Sequence, residues 1–181
     1  MKNALFFLAA LCTLAQPVFA LVNVGQKPKN YCWKDVADKT ICLKDAALQN
    51  KVRVLLYNGG FCGPCNQEFA ELPAATAPYK GKPVVFVSLS ASGWNSWDKP
   101  TKQFLTEWQT KYKLDKMDAT FIVAASPFDA GRDFFSSPRI PNIVILNPEG
   151  EVSYKAIMPG MKTMAAEIDK VLPRIVPVPV K

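Results

Sequence analysis

Two cysteines separated by a Gly-Pro pair, Cys62-Gly63-Pro64-Cys65, stand where an apolar strand-like run gives way to a helical pattern. No other feature limits the possible folds as tightly. Ahead of it, Lys51 to Tyr57 begins with alternation and ends wholly apolar, which reads as a buried strand. Asn58-Gly59-Gly60 then interrupts the run. Behind it, Cys65 to about Ala75 places Phe69 and Leu72 at helical spacing, with Pro73 expected to bend or end the helix. A thiol at a helix start meets unpaired backbone N–H groups and the positive end of the macrodipole, and both favour the thiolate. Across two intervening residues, a second sulfur can reach back and resolve a mixed disulfide held by the first. Gly63 keeps the approach open, and Pro64 suits a first helical turn, where its missing N–H costs little. The competing readings are a zinc knuckle and an inert staple. Zinc would want a second close ligand pair, but Cys32 and Cys42 have nine residues between them and the chain has no histidine. A staple would not need the strand-to-helix placement that makes this spacing a redox signature.

The remaining pattern is that of one α/β domain. Asn30 to Trp33 and Thr40 to Leu43 read as an early hairpin. Pro83 to Leu89 is a second strand, and Thr101 to Tyr112 a helix with Phe104, Leu105, Trp108 and Tyr112 on one face. Ala119 to Ala124 reads as a strand and Asp129 to Phe135 as a short helix. Ile143 to Leu146 and Glu151 to Ile157 flank the turn Asn147-Pro148-Glu149-Gly150, and Thr163 to Leu172 closes the domain with Met164, Ile168, Val171 and Leu172 facing inward. Strands separated by helices call for parallel crossovers, while the late hairpin adds antiparallel pairing, so the expected sheet is mixed and flanked by helices.

Residues 1–20 fall outside that domain. Met1-Lys2, the apolar run Ala4 to Ala15, the break at Gln16-Pro17 and the small residue Ala20 follow the layout of a secretory signal peptide. An uncleaved anchor is the alternative. A cut after Ala20 removes Lys2 and Cys12, takes the formal charge from +7 to +6, and leaves residues 21–181 with a Pro/Val-rich tail from about 173. The four remaining cysteines would then enter an oxidising compartment, periplasmic or secreted, where pairs persist as disulfides. The positive charges are spread along the chain without a dense basic run, which reads as solvated surface rather than a nucleic-acid footprint. The absence of histidine removes Ser-His and Cys-His nucleophiles and every His metal site, so proton transfer near neutral pH falls to a perturbed carboxyl, Lys, Tyr or thiol.

The Cys62–Cys65 motif, the segment Arg139-Ile140-Pro141-Asn142-Ile143-Val144-Ile145-Leu146 and the turn before Glu151-Val152 together resemble the thioredoxin fold, and more narrowly the exported TlpA/ResA-like group. The long stretch from Val84 to Phe135 fits the insertion of that group. The resemblance implies a cis bond at Ile140-Pro141 opposite the cysteines, exposing the Ile140 backbone to an extended substrate; an ordinary proline at a strand start is the plainer reading. It also points to Glu68, one turn beyond Cys65, as a carboxyl that could exchange a proton with Cys65 if burial raises its pKa. A solvated helix glutamate is the alternative. Two departures stand out: thioredoxins carry a buried Asp where this chain has Leu56, and a Trp where it has Phe61.

Cys32 and Cys42 could face each other across the early hairpin as a structural disulfide, with a second redox pair as the rival reading. Trp94 and Trp97 are candidates either for anchoring a partner or for packing on the adjacent helix. The expectation is a thiol–disulfide oxidoreductase acting on protein disulfides, without metal or organic cofactor; the resemblance implies a membrane-bound thiol partner that recharges it. The Gly-Pro dipeptide matches thioredoxin, whose potential of about −270 mV is reducing. A disulfide oxidase or isomerase is the rival within that chemistry. A thioredoxin-fold chaperone or copper-delivery module is the rival outside it.

Overall fold

Every residue of the strand ahead of the cysteines is buried, because both of its faces are covered. In the computed structural model, which describes residues 21–95, 98–126, 131–136 and 139–172, it is the third of seven strands. The order is β1 (Cys32–Asp35), β2 (Thr40–Cys42), β3 (Val52–Gly59), α1 (Gly63–Thr76), β4 (Val84–Ser92), α2 (Lys102–Lys111), β5 (Thr120–Ala125), β6 (Asn142–Leu146), β7 (Val152–Ile157) and α3 (Met161–Val171). Single 3₁₀ turns lie at Ala77–Tyr79 and Leu114–Lys116. The strands form one mixed sheet, β2-β1-β5-β4-β3-β6-β7. The helical crossovers make β3, β4 and β5 parallel, and the two hairpins place antiparallel strands at the edges.

The period-2 alternation of β3 sorts the core into two layers. Val52, Val54 and Leu56 join Phe69 and Leu72 of α1, Phe104, Leu105 and Trp108 of α2, and Met161, Met164 and Ile168 of α3. Leu55 and Tyr57 face the other way, toward Tyr31, Trp33, Leu43, Leu48 and Phe134. On that second face the start of the described chain is tied down. Gly25 donates its N–H to Val152 O at 2.8 Å, and Lys155 Nζ donates to Val22 O and Phe134 O, each at 2.8 Å.

The elements fall where the sequence places them, with ends shifted by up to three residues: β1 ends at Asp35 rather than Trp33, β3 runs on through Asn58-Gly59, and β4 reaches Ser92 rather than Leu89. The helix after the cysteines starts at Gly63, two residues before the expected Cys65, and continues through Pro73 to Thr76, one residue past the expected Ala75. A mid-helix proline costs about 3 kcal/mol. Here Leu72 is fully buried, worth about 1.5–3 kcal/mol, and the turn beyond continues because Ala77 donates its N–H to Pro73 O. The closing helix starts two residues earlier than expected, at Met161, whose side chain is buried. Of the short helix expected over Asp129 to Phe135, residues 131–132 are helical and 129–130 lie outside the described residues, as do the expected signal peptide at residues 1–20, Trp97 and residues 173–181. Helix α2 is capped as its sequence allows, Thr101 Oγ1 accepting from the Phe104 N–H at 3.1 Å. Among the described residues no helix is long and apolar enough to cross a membrane.

Candidate redox site

Strand β3 delivers its C-terminal end directly to the N-terminus of α1, and the cysteines occupy that joint. Close packing fixes the joint. A Cβ on Gly59 would sit 2.3 Å from Ser92 Oγ and 2.8 Å from Ile140 Cδ1. One on Gly60 would sit 2.6 Å from the Phe104 ring, 2.7 Å from Gly93 O and 2.8 Å from the Trp94 ring. Only glycine lets this segment approach its neighbours so closely, which is why the apolar run stops at Asn58-Gly59-Gly60.

Cys62 is the N-cap of α1, and its Sγ accepts a hydrogen bond from the Cys65 N–H at 3.1 Å. The two sulfurs are joined as a disulfide. Their exposure differs: Cys62 retains 7% and Cys65 none, while Phe61, Gly63 and Pro64 around Cys62 are exposed. A Cβ added at Gly63 would meet nothing within 4 Å, so the approach to Cys62 is open. In the reduced form this N-cap geometry suits Cys62 to carry a stabilised thiolate and Cys65 to hold its proton out of water.

The Ile140–Pro141 bond is cis. Asn142, the next residue, pairs with Tyr57 of β3, so the cis bond lies beside the end of the strand that leads to the cysteines. Pro141 is buried, and its carbonyl accepts from the Met158 N–H at 2.9 Å. Ile140 is half-buried and packs against both core layers.

Glu68 lies one turn after Cys65 and is half-buried. Burial pushes its carboxyl above the ordinary range, opposed by the backbone N–H of Gly160 and assisted by the charge of Glu71. The Gly160 contact was not expected from sequence. Gly160 is the N-cap of α3 and has no side chain to cap it, so the Glu68 carboxylate also serves that helix end.

Two asparagines complete the site, and neither was singled out in the sequence. Leu56 is buried in the apolar layer, and the polar group on its face comes two residues later, at the fully buried Asn58. Its Nδ2 donates to Leu56 O and to Ser88 Oγ, each at 3.0 Å, and its Oδ1 accepts from Ser90 Oγ at 2.9 Å. The parallel register places Ser88 opposite Leu56 and Ser90 opposite Asn58. The alternation of Ser88, Ser90 and Ser92 in an otherwise apolar strand was the available signal. Asn66, on α1, donates from Nδ2 to Gly60 O at 3.1 Å and Cys62 O at 2.8 Å. Its Oδ1 accepts from Lys111 Nζ at 2.7 Å and from the Tyr112 hydroxyl.

Trp94 packs on the helix, edge-on to Phe104 at 4.9 Å and beside Trp108, with Lys111 Nζ over its ring. Its indole N–H bonds Glu107 at 2.6 Å, which together with a bond from Gln103 holds that carboxyl below its ordinary range.

The other cysteine pair lies elsewhere. Cys32 and Cys42 are direct cross-strand partners joined by a disulfide, and β5 and β4 separate their hairpin from β3. Among the described residues, no group of three or more His, Cys, Asp or Glu side chains could hold a metal ion.

No protein-family model matches the chain, and no curated protein matches it in sequence. Solved structures do match. The thioredoxin domain of a thiol-disulfide oxidoreductase from Bacteroides vulgatus superposes with a TM-score of 0.65 at 15% identity, covering 84% of this chain and 99% of that one. A thiol:disulfide interchange protein of the thioredoxin family from Chlorobium tepidum gives 0.64 at 14% identity, over 85% and 100%. StoA from Bacillus subtilis gives 0.56 at 18% identity, over 77% and 96%. What these proteins share with the present chain is architecture, and on that ground its fold is thioredoxin-like.

Proposed function

We propose that this protein is an exported thiol–disulfide oxidoreductase that reduces disulfides in extracytoplasmic proteins through the Cys62–Cys65 dithiol. The observation that carries the reading is the asymmetry of the pair: Cys62 caps α1 with a sliver of exposure, and Cys65 is sealed beneath it. The names of the structurally similar proteins, oxidoreductases and an interchange protein among them, support the reaction class.

In the reducing direction the Cys62 thiolate attacks one sulfur of a substrate disulfide. A Cys62–substrate disulfide forms, and the first substrate sulfur leaves as a thiolate that takes up a proton. The Cys65 thiol then gives its proton to the Glu68 carboxylate, and its sulfur attacks Cys62 Sγ. The second substrate sulfur leaves, and the Cys62–Cys65 disulfide remains. Two electrons have passed to the substrate, and a membrane-bound dithiol partner returns them. Gly63 and Pro64 border the approach, while the cis Ile140–Pro141 bond presents the Ile140 backbone to an extended substrate segment. The raised pKa of Glu68 fits a proton acceptor, although its hold on Gly160 ties it to α3 as well. The leader-like residues 1–20 and the Cys32–Cys42 bond support an oxidising destination, periplasmic or secreted.

Equilibration of the purified protein against glutathione and dithiothreitol redox buffers tests the direction. A potential near that of thioredoxin, about −270 mV, is expected. A value near that of a strong oxidase, about −120 mV, would reverse the assignment.

A further inference from the structure

Asn66 is a saturated amide. Its two N–H groups reach the carbonyls of Gly60 and Cys62, and its oxygen receives the Lys111 ammonium and the Tyr112 hydroxyl. The orientation is fixed by chemistry, because carbonyls can only accept and an ammonium can only donate. The Cys62 carbonyl therefore takes two bonds from one residue, since the backbone N–H of Asn66 also reaches it at 3.1 Å as the first rung of α1. Lys111 is itself seated over the Trp94 and Tyr112 rings at 4.9 and 5.1 Å. Trp94 in turn packs where a Gly60 side chain would be. The peptide that presents Cys62 is thus sewn to α1 and braced from α2.

We propose that Asn66 is a positioning residue for the nucleophile: pinned by Lys111 and Tyr112, it holds the Gly60–Cys62 segment so that Cys62 Sγ stays against the N-terminus of α1. The proposal rests on the dithiol reading of the site. Two physical effects run through the clamp. It keeps Sγ within reach of the Cys65 N–H, 3.1 Å away. It also supplies a donor to the Gly60 carbonyl and a second donor to the Cys62 carbonyl, which tempers two dipoles in the segment that carries the thiolate. Lys111 acts through the amide, by fixing which way it points. The titratable groups around this turn are Cys65 and Glu68 on α1, Lys111 at the end of α2, Tyr112 at its C-cap, and Glu107 through Trp94.

The test measures the rate of iodoacetamide alkylation of Cys62 against pH, located by mass spectrometry, with Cys65→Ser as the parent. Adding Asn66→Ala should raise the apparent Cys62 pKa by about one unit, a roughly tenfold slower alkylation at pH 6. Asn66→Asp, nearly isosteric but unable to donate to either carbonyl, should raise it at least as far, because it loses the donors and adds a negative charge to the turn. Lys111→Met, at an exposed side chain, should give a smaller shift in the same direction that vanishes when Asn66→Ala is already present. An Asn66→Ala profile that superimposes on the parent would overturn the proposal, whatever happens to the melting temperature. So would a Lys111→Met effect that persists undiminished without Asn66, because Lys111 would then act directly. If the parent itself alkylates like a free thiol, with a pKa near 8.5, the dithiol reading fails first, and the two failures are told apart.

Discussion

The Cys32–Cys42 bridge can be removed without touching the proposed chemistry. The double substitution Cys32→Ala with Cys42→Ala is preferable to a single one, which would leave a free thiol able to attack the Cys62–Cys65 pair. The bridge closes a loop of sequence separation 10. In the chain-entropy account, a loop of that length removes about 9 cal/mol/K from the unfolded ensemble, or about 2.7 kcal/mol at 25 °C. The native hairpin keeps its other supports, since Trp33 and Leu43 are 2% and 3% exposed and β1 still pairs with β5. The variant should therefore fold, with a melting temperature lower by about 5–11 °C for a domain of this size. Urea denaturation followed by circular dichroism reads the loss as a lower midpoint, with a slightly steeper slope as the unfolded chain expands. Disulfide-reductase turnover at a temperature where both proteins are folded should be unchanged. A stability within about 0.5 kcal/mol of wild type would refute the constraint argument. A folded variant that had lost most of its turnover would refute the assignment of this pair as structural.

Gly60→Ala forces a methyl to within 2.7 Å of the Gly93 carbonyl oxygen, a backbone atom that cannot step aside, and should cost about 1–3 kcal/mol in denaturant titration. Gly63→Ala meets nothing and serves as the control; equal stability of the two variants would contradict the packing described. Thr101→Ala removes the oxygen that caps α2 and should cost about 1 kcal/mol by the same measurement, with no change if the cap is replaced by water. Burial raises the Glu68 pKa, so the folded protein holds that proton more tightly than the unfolded chain does. Its contribution to stability is full below the ordinary carboxyl pKa and declines as pH rises through the folded value. In urea titrations across that window Glu68→Gln should remove the decline, and a variant whose stability tracks wild type at every pH would contradict it.

What could be read from the sequence was local. Strand β3, the joint at Cys62 and the facing pair Cys32 and Cys42 each announce themselves within about ten residues, through alternation, capping chemistry or spacing. The Ile140-Pro141 bond was reached through resemblance, and it is cis. The other parts of the site come from residues far apart in the chain. Asn58 reads as a loop residue beside two glycines, and it becomes a buried amide only because the parallel register sets Ser90 opposite it and Ser88 opposite Leu56, both within reach of its side chain. Asn66 looks like an ordinary polar helix position until α2 brings Lys111 to it. Glu68 was placed on the correct turn, but its bond to the start of α3 depends on how α1 and α3 pack. At Pro73 a strong local rule, that proline bends or ends a helix, competes with the burial of Leu72 and Thr76, and the helix continues to Thr76.

The central claim is that Cys62 attacks and Cys65 resolves. It is tested by incubating reduced Cys65→Ser protein with a disulfide-bonded protein substrate and mapping the resulting adducts by non-reducing electrophoresis and peptide mass spectrometry. A stable mixed disulfide on Cys62 that wild type does not accumulate is expected, and none on the Cys62→Ser variant. An absence of adduct on Cys62, or an equal adduct on Cys65 in the Cys62→Ser protein, would contradict it.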